Sequence, residues 1–199
     1  MKALTQPEVL KVLKAAADNP TGGRVRLLWA TRDHAMILMA FRHGMRASEV
    51  CNLELKDLDL RNNEVVIRRL KGSLKTTQPI ADVPGQPLLS ERRVLRDWLK
   101  ERGQHPSKYL FVSQKSGKVN RSTFYRIFSD AAERAGLPAD KRHPHCLKHA
   151  LGYALVDANV NLSVIKQALG HRSIQSTSRY TEATDEQAGR AVVAALASL

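Results

Sequence analysis

The sequence predicts a mainly helical α+β fold with one small antiparallel sheet, and three observations lead there. Apolar residues recur at helical spacing from Val9 to Phe41 and again through the last third of the chain. The β-formers Val65-Val66-Ile67 and Ile80-Ala81-Asp82-Val83 stand on either side of Lys71-Gly72-Ser73, as the arms of a hairpin would. At 199 residues, 43% hydrophobic and 26% charged, the chain has the composition of a soluble globular protein and enough length for one substantial core. One domain over residues 1–199 is therefore expected.

Taken in order, Thr5-Gln6-Pro7-Glu8 is a capping box with proline in the first turn, so a helix runs from there to about Asp18. Asn19-Pro20-Thr21-Gly22-Gly23 breaks it. Leu27, Leu28, Trp29, Met36, Ile37, Leu38 and Phe41 fill a second, largely buried helix that ends near Gly44. A short third helix opens at Arg46, with Val50, Leu53 and Leu55 as its apolar residues. The sheet follows, with Lys71 at its hairpin, then a loop at Pro84-Gly85-Gln86-Pro87. Val94, Leu95, Trp98 and Leu99 mark the apolar side of the next helix, and Tyr109 to Val112 reads as a short strand. The helix from Arg121 to Ala135 is flanked by Lys115, Lys118, Arg126 and Arg134. His145 to Val156, Leu162 to Leu169 and Asp185 to Leu199 are three further helices. The last carries a stripe of Val192, Val193, Leu196 and Leu199 that packs on its own core or docks on a neighbouring molecule.

The charge is the unusual part of the composition. Lys and Arg number 32 against 19 Asp and Glu, a formal charge of +13, which makes a surface field suited to a polyanion. Nucleic acid is the first partner this implies and an anionic membrane surface the second. No apolar run approaches the ~20 residues that span a bilayer, and the N-terminus has no signal-peptide core, so a cytoplasmic protein is expected. The two cysteines, Cys51 and Cys146, fit neither a disulfide framework nor a zinc site and read as small buried residues. The seven histidines lack the His-Glu spacing of a zinc enzyme, so chemistry without metal or cofactor is expected.

Four segments carry that chemistry. Leu169-Gly170-His171 leads to Tyr180, which sets a phenol near an imidazole in a chain with only four tyrosines. Taken alone, the stretch is better explained by an ordinary loop followed by a helix whose tyrosine packs into the core. Arg42-His43-Gly44-Met45-Arg46-Ala47-Ser48-Glu49 places Arg46 after a glycine turn, with Glu49 able to orient it. Lys71 stands at the hairpin, and Pro144-His145-Cys146-Leu147-Lys148-His149 sets His145 and Lys148 on one helical face. Cleaving a phosphodiester without a metal needs fixed cations for the non-bridging oxygens, a route for the nucleophile's proton and a donor for the departing oxygen. Arg46, Lys71, His145, Lys148, His171 and Tyr180 are a set able to supply these. His149 reads as a packed histidine, Ser48 as a cap, and His43 as a loop residue that either touches DNA or has no role.

With these motifs in this order, the chain resembles the tyrosine recombinase, or phage integrase, family over nearly its full length. Phe41-Arg42-His43-Gly44-Met45-Arg46, Ile67-Arg68-Arg69-Leu70-Lys71 and His143-Pro144-His145 are most similar to the small recombinases that invert the fimbrial switch in enterobacteria, which have no separate N-terminal DNA-clamping domain. The resemblance implies that Tyr180 attacks the scissile phosphate to leave a 3′-phosphotyrosyl link and a free 5′-hydroxyl. It also implies that Arg46 and residue 148 hold the non-bridging oxygens, His171 adds a donor, His145 assists proton transfer at the tyrosine, and Lys71, or less favourably Lys75, protonates the leaving oxygen. The partners implied are double-stranded DNA, a tetramer formed on DNA from a monomer, and accessory DNA-bending proteins. One position departs from the family: Lys148 stands where arginine is usual, keeping the charge but losing the planar fork that fits a phosphate. A DNA-binding regulator weakened at that position and a general polyanion binder are the alternatives.

Overall fold

The computed structural model describes residues 3–18, 24–69, 75–115, 117–178, 180 and 193. Lys71 with its hairpin, and the helix predicted over 185–199 apart from Val193, lie outside the described residues. Helix α1, Gln6–Ala17, starts at the predicted box: the Thr5 hydroxyl accepts from the Glu8 amide and Glu8 accepts from the Thr5 amide. Helix α2, Arg24–Arg42, buries Ala35 through Ala40 without a gap, as a helix covered on several sides must. It packs on α1, on α4 (Glu91–Arg102) and on α6 (His145–Asp157), while α1 also packs on α5 (Arg121–Arg134). Trp98 of α4 is buried and donates from its indole nitrogen to the Leu110 carbonyl at 2.9 Å. Helix α3, Ala47–Cys51, is shorter than expected; Leu53 is buried beyond its end and Leu55 is exposed.

Both cysteines are buried, and burial pushes the Cys51 thiol up to about 12. No helix among the described residues is long and apolar enough to cross a membrane.

The sheet runs β1 (Leu58–Asp59), β2 (Glu64–Ile67) and β3 (Thr76–Pro79), all antiparallel. The expected second arm at Ile80 to Val83 is corrected to Thr76–Pro79. Pairing Ile67 with Thr76 uses up β2, so the ladder ends where Glu64 faces Pro79. The residues beyond turn to α4 instead: the Ala81 amide donates to Glu91 Oε2 at 3.0 Å, and Asp82 accepts from the Arg92 amide at 3.0 Å. Tyr109 to Val112 likewise forms no strand. It is an extended segment with single bridges from Tyr109 to Glu54 and from Val112 to Lys118, because the chain beside it is loop. Helices α7 (Leu162–Ala168) and α8 (Gln175–Ser178) follow, and Ile165 of α7 forms a second small core with Leu169 and Tyr180.

Candidate active site

The site begins at the turn after α2. Gly44 has φ +56°, and a Cβ there would lie 2.6 Å from the Leu169 side chain, so only glycine lets the chain reverse against α7. Arg46 then caps α3, and its amide donates to Glu49 Oε2 while its guanidinium donates to Glu49 Oε1, both at 2.9 Å. Burial alone would push the Glu49 carboxyl up, but the Arg46 amide, the charge of Arg69, the Arg46 side chain and Lys148 outweigh it and hold it below the ordinary range. The Arg46 side chain stays 37% exposed, so this carboxylate aims a guanidinium that solvent and ligand can reach.

A second arginine lies beneath the first. Arg69 is fully buried and donates to the carbonyls of Gly44, His43 and Ala168 at 3.0, 2.8 and 3.0 Å, and to Glu49 Oε2 at 3.1 Å. It thereby ties the Arg46 turn to the end of α7. Two more donors meet that helix end: Gln78 reaches the Ala168 carbonyl at 2.8 Å, and the Lys148 ammonium reaches the Leu169 carbonyl at 2.7 Å. The last carbonyls of a helix have no partner within it, and cations satisfy them well. Gly170 follows at φ +62°, packed where a Cβ would lie 2.7 Å from Arg69 Nε. The chain is thus turned toward His171, whose Nδ1 pairs with the Thr177 hydroxyl at 2.9 Å.

Tyr180 sits in a slot on α6. Its ring lies over Gly152, where a Cβ would be 2.7 Å from Cζ, and only a residue without a side chain allows that approach. The His171 ring is parallel to it at 6.5 Å and Tyr153 meets it edge-on at 5.1 Å. The phenol is hydrogen-bonded to His149 Nδ1 at 3.0 Å, and the residue is 5% exposed.

His145 lies at the open end of the same helix. Its ring is edge-on to Tyr125 at 6.3 Å, and the Arg121 guanidinium stands 5.3 Å over that tyrosine, so the basic start of α5 borders the site. Partial burial of the ring, then the positive field of His143, Arg121, Arg46 and Lys148, holds His145 below the ordinary histidine range. Arg134 in the same basic run is instead tied to the Ala15 carbonyl of α1 at 2.8 Å.

Of the six predicted residues, five are described. Arg46, His145 and Lys148 share one electrostatic neighbourhood, and His171 stacks on Tyr180. Lys148 is only 7% exposed and turned to a backbone carbonyl. His43 lies in the turn after α2, as expected of a loop residue, but it is buried: its Nε2 stands 2.7 Å from Glu91 and its Nδ1 bonds Gln78 at 2.8 Å. Sequence reasoning missed Arg69 and the roles of His149 and Gly152. Strand parity held the signal for Arg69, because Val65 and Ile67 point inward and Arg69 continues that alternation. Helical spacing held it for the others, since His145, His149 and Gly152 fall on one face of α6.

Comparison with known proteins gives a consistent result. Residues 2–187 match the phage integrase family. The Type 1 fimbriae regulatory protein FimB of Escherichia coli K12 is 36% identical over 181 residues, which cover 89% of this chain and 82% of FimB. The crystal structure of XerA recombinase superposes with a TM-score of 0.76 at 25% identity, over 97% of this chain and 64% of XerA. The pre-cleavage complex of XerH site-specific recombinase with its difH substrate gives 0.74 at 24% identity, and this chain spans 52% of that protein.

Proposed function

The chain belongs to the phage integrase family and is a site-specific recombinase of the tyrosine type whose partner is DNA; from that premise we propose that Tyr180 is the residue that becomes joined to the DNA. In this reading the Tyr180 oxygen attacks the scissile phosphorus, the bond to the 5′-oxygen breaks, and a 3′-phosphotyrosyl link forms. The link retains the phosphodiester, so the reverse step rejoins DNA with no energy source. Arg46 and Lys148 meet the charge on the non-bridging oxygens, and His171 adds a donor. His145 assists proton transfer at the phenol, and Lys71 gives a proton to the departing 5′-oxygen.

One observation carries the reading. Arg46, Glu49, Arg69, Lys148 and the His171 loop are bonded into one unit, and Tyr180 stacks on His171 at its edge. Residues from both ends of the chain thus converge where α3, α6 and α7 meet. Fixed cations beside a nucleophile are what in-line phosphoryl chemistry without a metal requires. The chain works in the cytoplasm as a single catalytic domain, assembling from monomer to tetramer on two DNA sites, with residues 185–199 docking on the neighbour and DNA-bending proteins assisting. Inversion of a DNA segment is the outcome that the resemblance to the fimbrial-switch recombinases favours.

A second reading has support in Lys148, which is held on the Leu169 carbonyl, and in the name of FimB as a regulatory protein. It makes the chain a DNA-binding regulator that cuts poorly. A duplex nicked next to the scissile phosphate separates the two. The recombinase traps a covalent adduct that Tyr180→Phe abolishes. The regulator binds the same duplex and leaves it unlinked.

A further inference from the structure

Tyr180 must lose its hydroxyl proton as it attacks, and His149 is in contact with that hydroxyl. Nδ1 of His149 is 3.0 Å from the Tyr180 oxygen, inside the range for direct proton transfer, with the two ring centres 5.8 Å apart. His145 lies one turn earlier on α6, and the ring contacts the structure gives it are with Tyr125 and His143. The slot also calls for a partner at that oxygen. Enclosed by Gly152, Tyr153 and His171, a phenolate would be costly unless its proton passed to a group already bonded to it.

We propose that His149 is a catalytic residue, the general base that takes the Tyr180 proton, and this rests on Tyr180 being the nucleophile. In the tautomer protonated at Nε2, His149 Nδ1 accepts the phenol's hydrogen bond. As the Tyr180 oxygen bonds to phosphorus, its O–H bond breaks and an N–H bond forms at Nδ1. The P–O5′ bond breaks and the 5′-oxygen takes its proton from the general acid, proposed above as Lys71. Rejoining runs the same steps backwards, and the His149 imidazolium returns the proton to Tyr180. His145 then assists from the solvent side of the same helical face.

The test is single-turnover cleavage of the nicked duplex by the whole chain, with DNA binding measured in parallel on each variant. His149→Ala is expected to slow adduct formation by about 10²–10⁴-fold at neutral pH with binding unchanged, the scale of a lost general base. Its rate should then rise steadily with alkalinity, as hydroxide replaces the base, and added imidazole should restore part of it. His149→Asn keeps an acceptor for the phenol but has no basicity, so it should stay as slow as alanine. The proposal is overturned if asparagine restores the wild-type rate, if alanine cleaves as fast as wild type, or if alanine is slow with an unaltered pH profile. An adduct that survives in Tyr180→Phe removes the nucleophile assignment itself, whatever His149 does.

Discussion

The two halves of the site are held by different forces. The Arg46 turn is fixed by charge-assisted bonds, with Glu49 gripping Arg46 and Arg69 from below while Arg69 ties three backbone carbonyls. The Tyr180 slot is held by ring contacts and the bond to His149. Bonds to charged groups contribute about 1.5–3 kcal/mol each, and aromatic pairs about 0.5–1.5 kcal/mol. On the proposed reading the cationic clamp is fixed by its own bonds, whereas Tyr180, the proposed nucleophile, is held by weaker contacts and is the part able to adjust to the phosphate. Preorganised charge loses no energy to rearrangement during the reaction, which is why the clamp benefits from rigidity.

The sharpest way to break that contrast is to remove the buried arginine. Arg69→Met leaves Glu49 and three carbonyls short of a partner, and should destabilise the fold by about 3–5 kcal/mol in chemical denaturation. A loss below about 1 kcal/mol would place Arg69 among ordinary surface changes and end its role as the tie beneath Arg46. Next comes the slot. Gly152→Ala puts a methyl group 2.7 Å from Tyr180 Cζ, so the ring must shift. Overpacking of this kind costs about 1–3 kcal/mol, and adduct formation should slow while DNA binding holds. Faster cleavage would mean that the slot stores the tyrosine and does not position it.

The smallest effect is on pH. Glu49 titrates below its ordinary 4.5 in the folded chain, so its contribution is complete above that value and is lost as pH falls toward the lowered one. Thermal unfolding of wild type should therefore show a drop below about pH 4.5 that is reduced in Glu49→Gln. Identical acid profiles for the two would remove Glu49 as the anchor of the clamp.

Much of this was legible in the sequence, and the reasons are local. Thr5 to Glu8 encodes a helix start in four adjacent residues, and the apolar run of α2 encodes its burial. That Arg46, Lys148, His171 and Tyr180 lie near one another is legible because each sits in a short motif of the sequence. What failed depends on partners distant in the chain. Thr76–Pro79 reads as polar because it is an edge strand that buries only Thr76 and exposes Thr77 and Pro79, so the greasier Ile80 to Val83 drew the assignment. The burial of His43 in its turn is not legible because its partner, Glu91, lies on α4. Lys148 reads as a phosphate ligand from its motif, while the carbonyl it bonds belongs to a helix end that only the folded chain brings near.

The most direct measurement is to trap the covalent adduct on the nicked duplex, digest it and map the linked residue by mass spectrometry. Tyr153 is the useful internal control, since it is 39% exposed and its ring is 5.1 Å from that of Tyr180. DNA is expected on Tyr180 alone. DNA on Tyr153, or an adduct on any other residue, would contradict it.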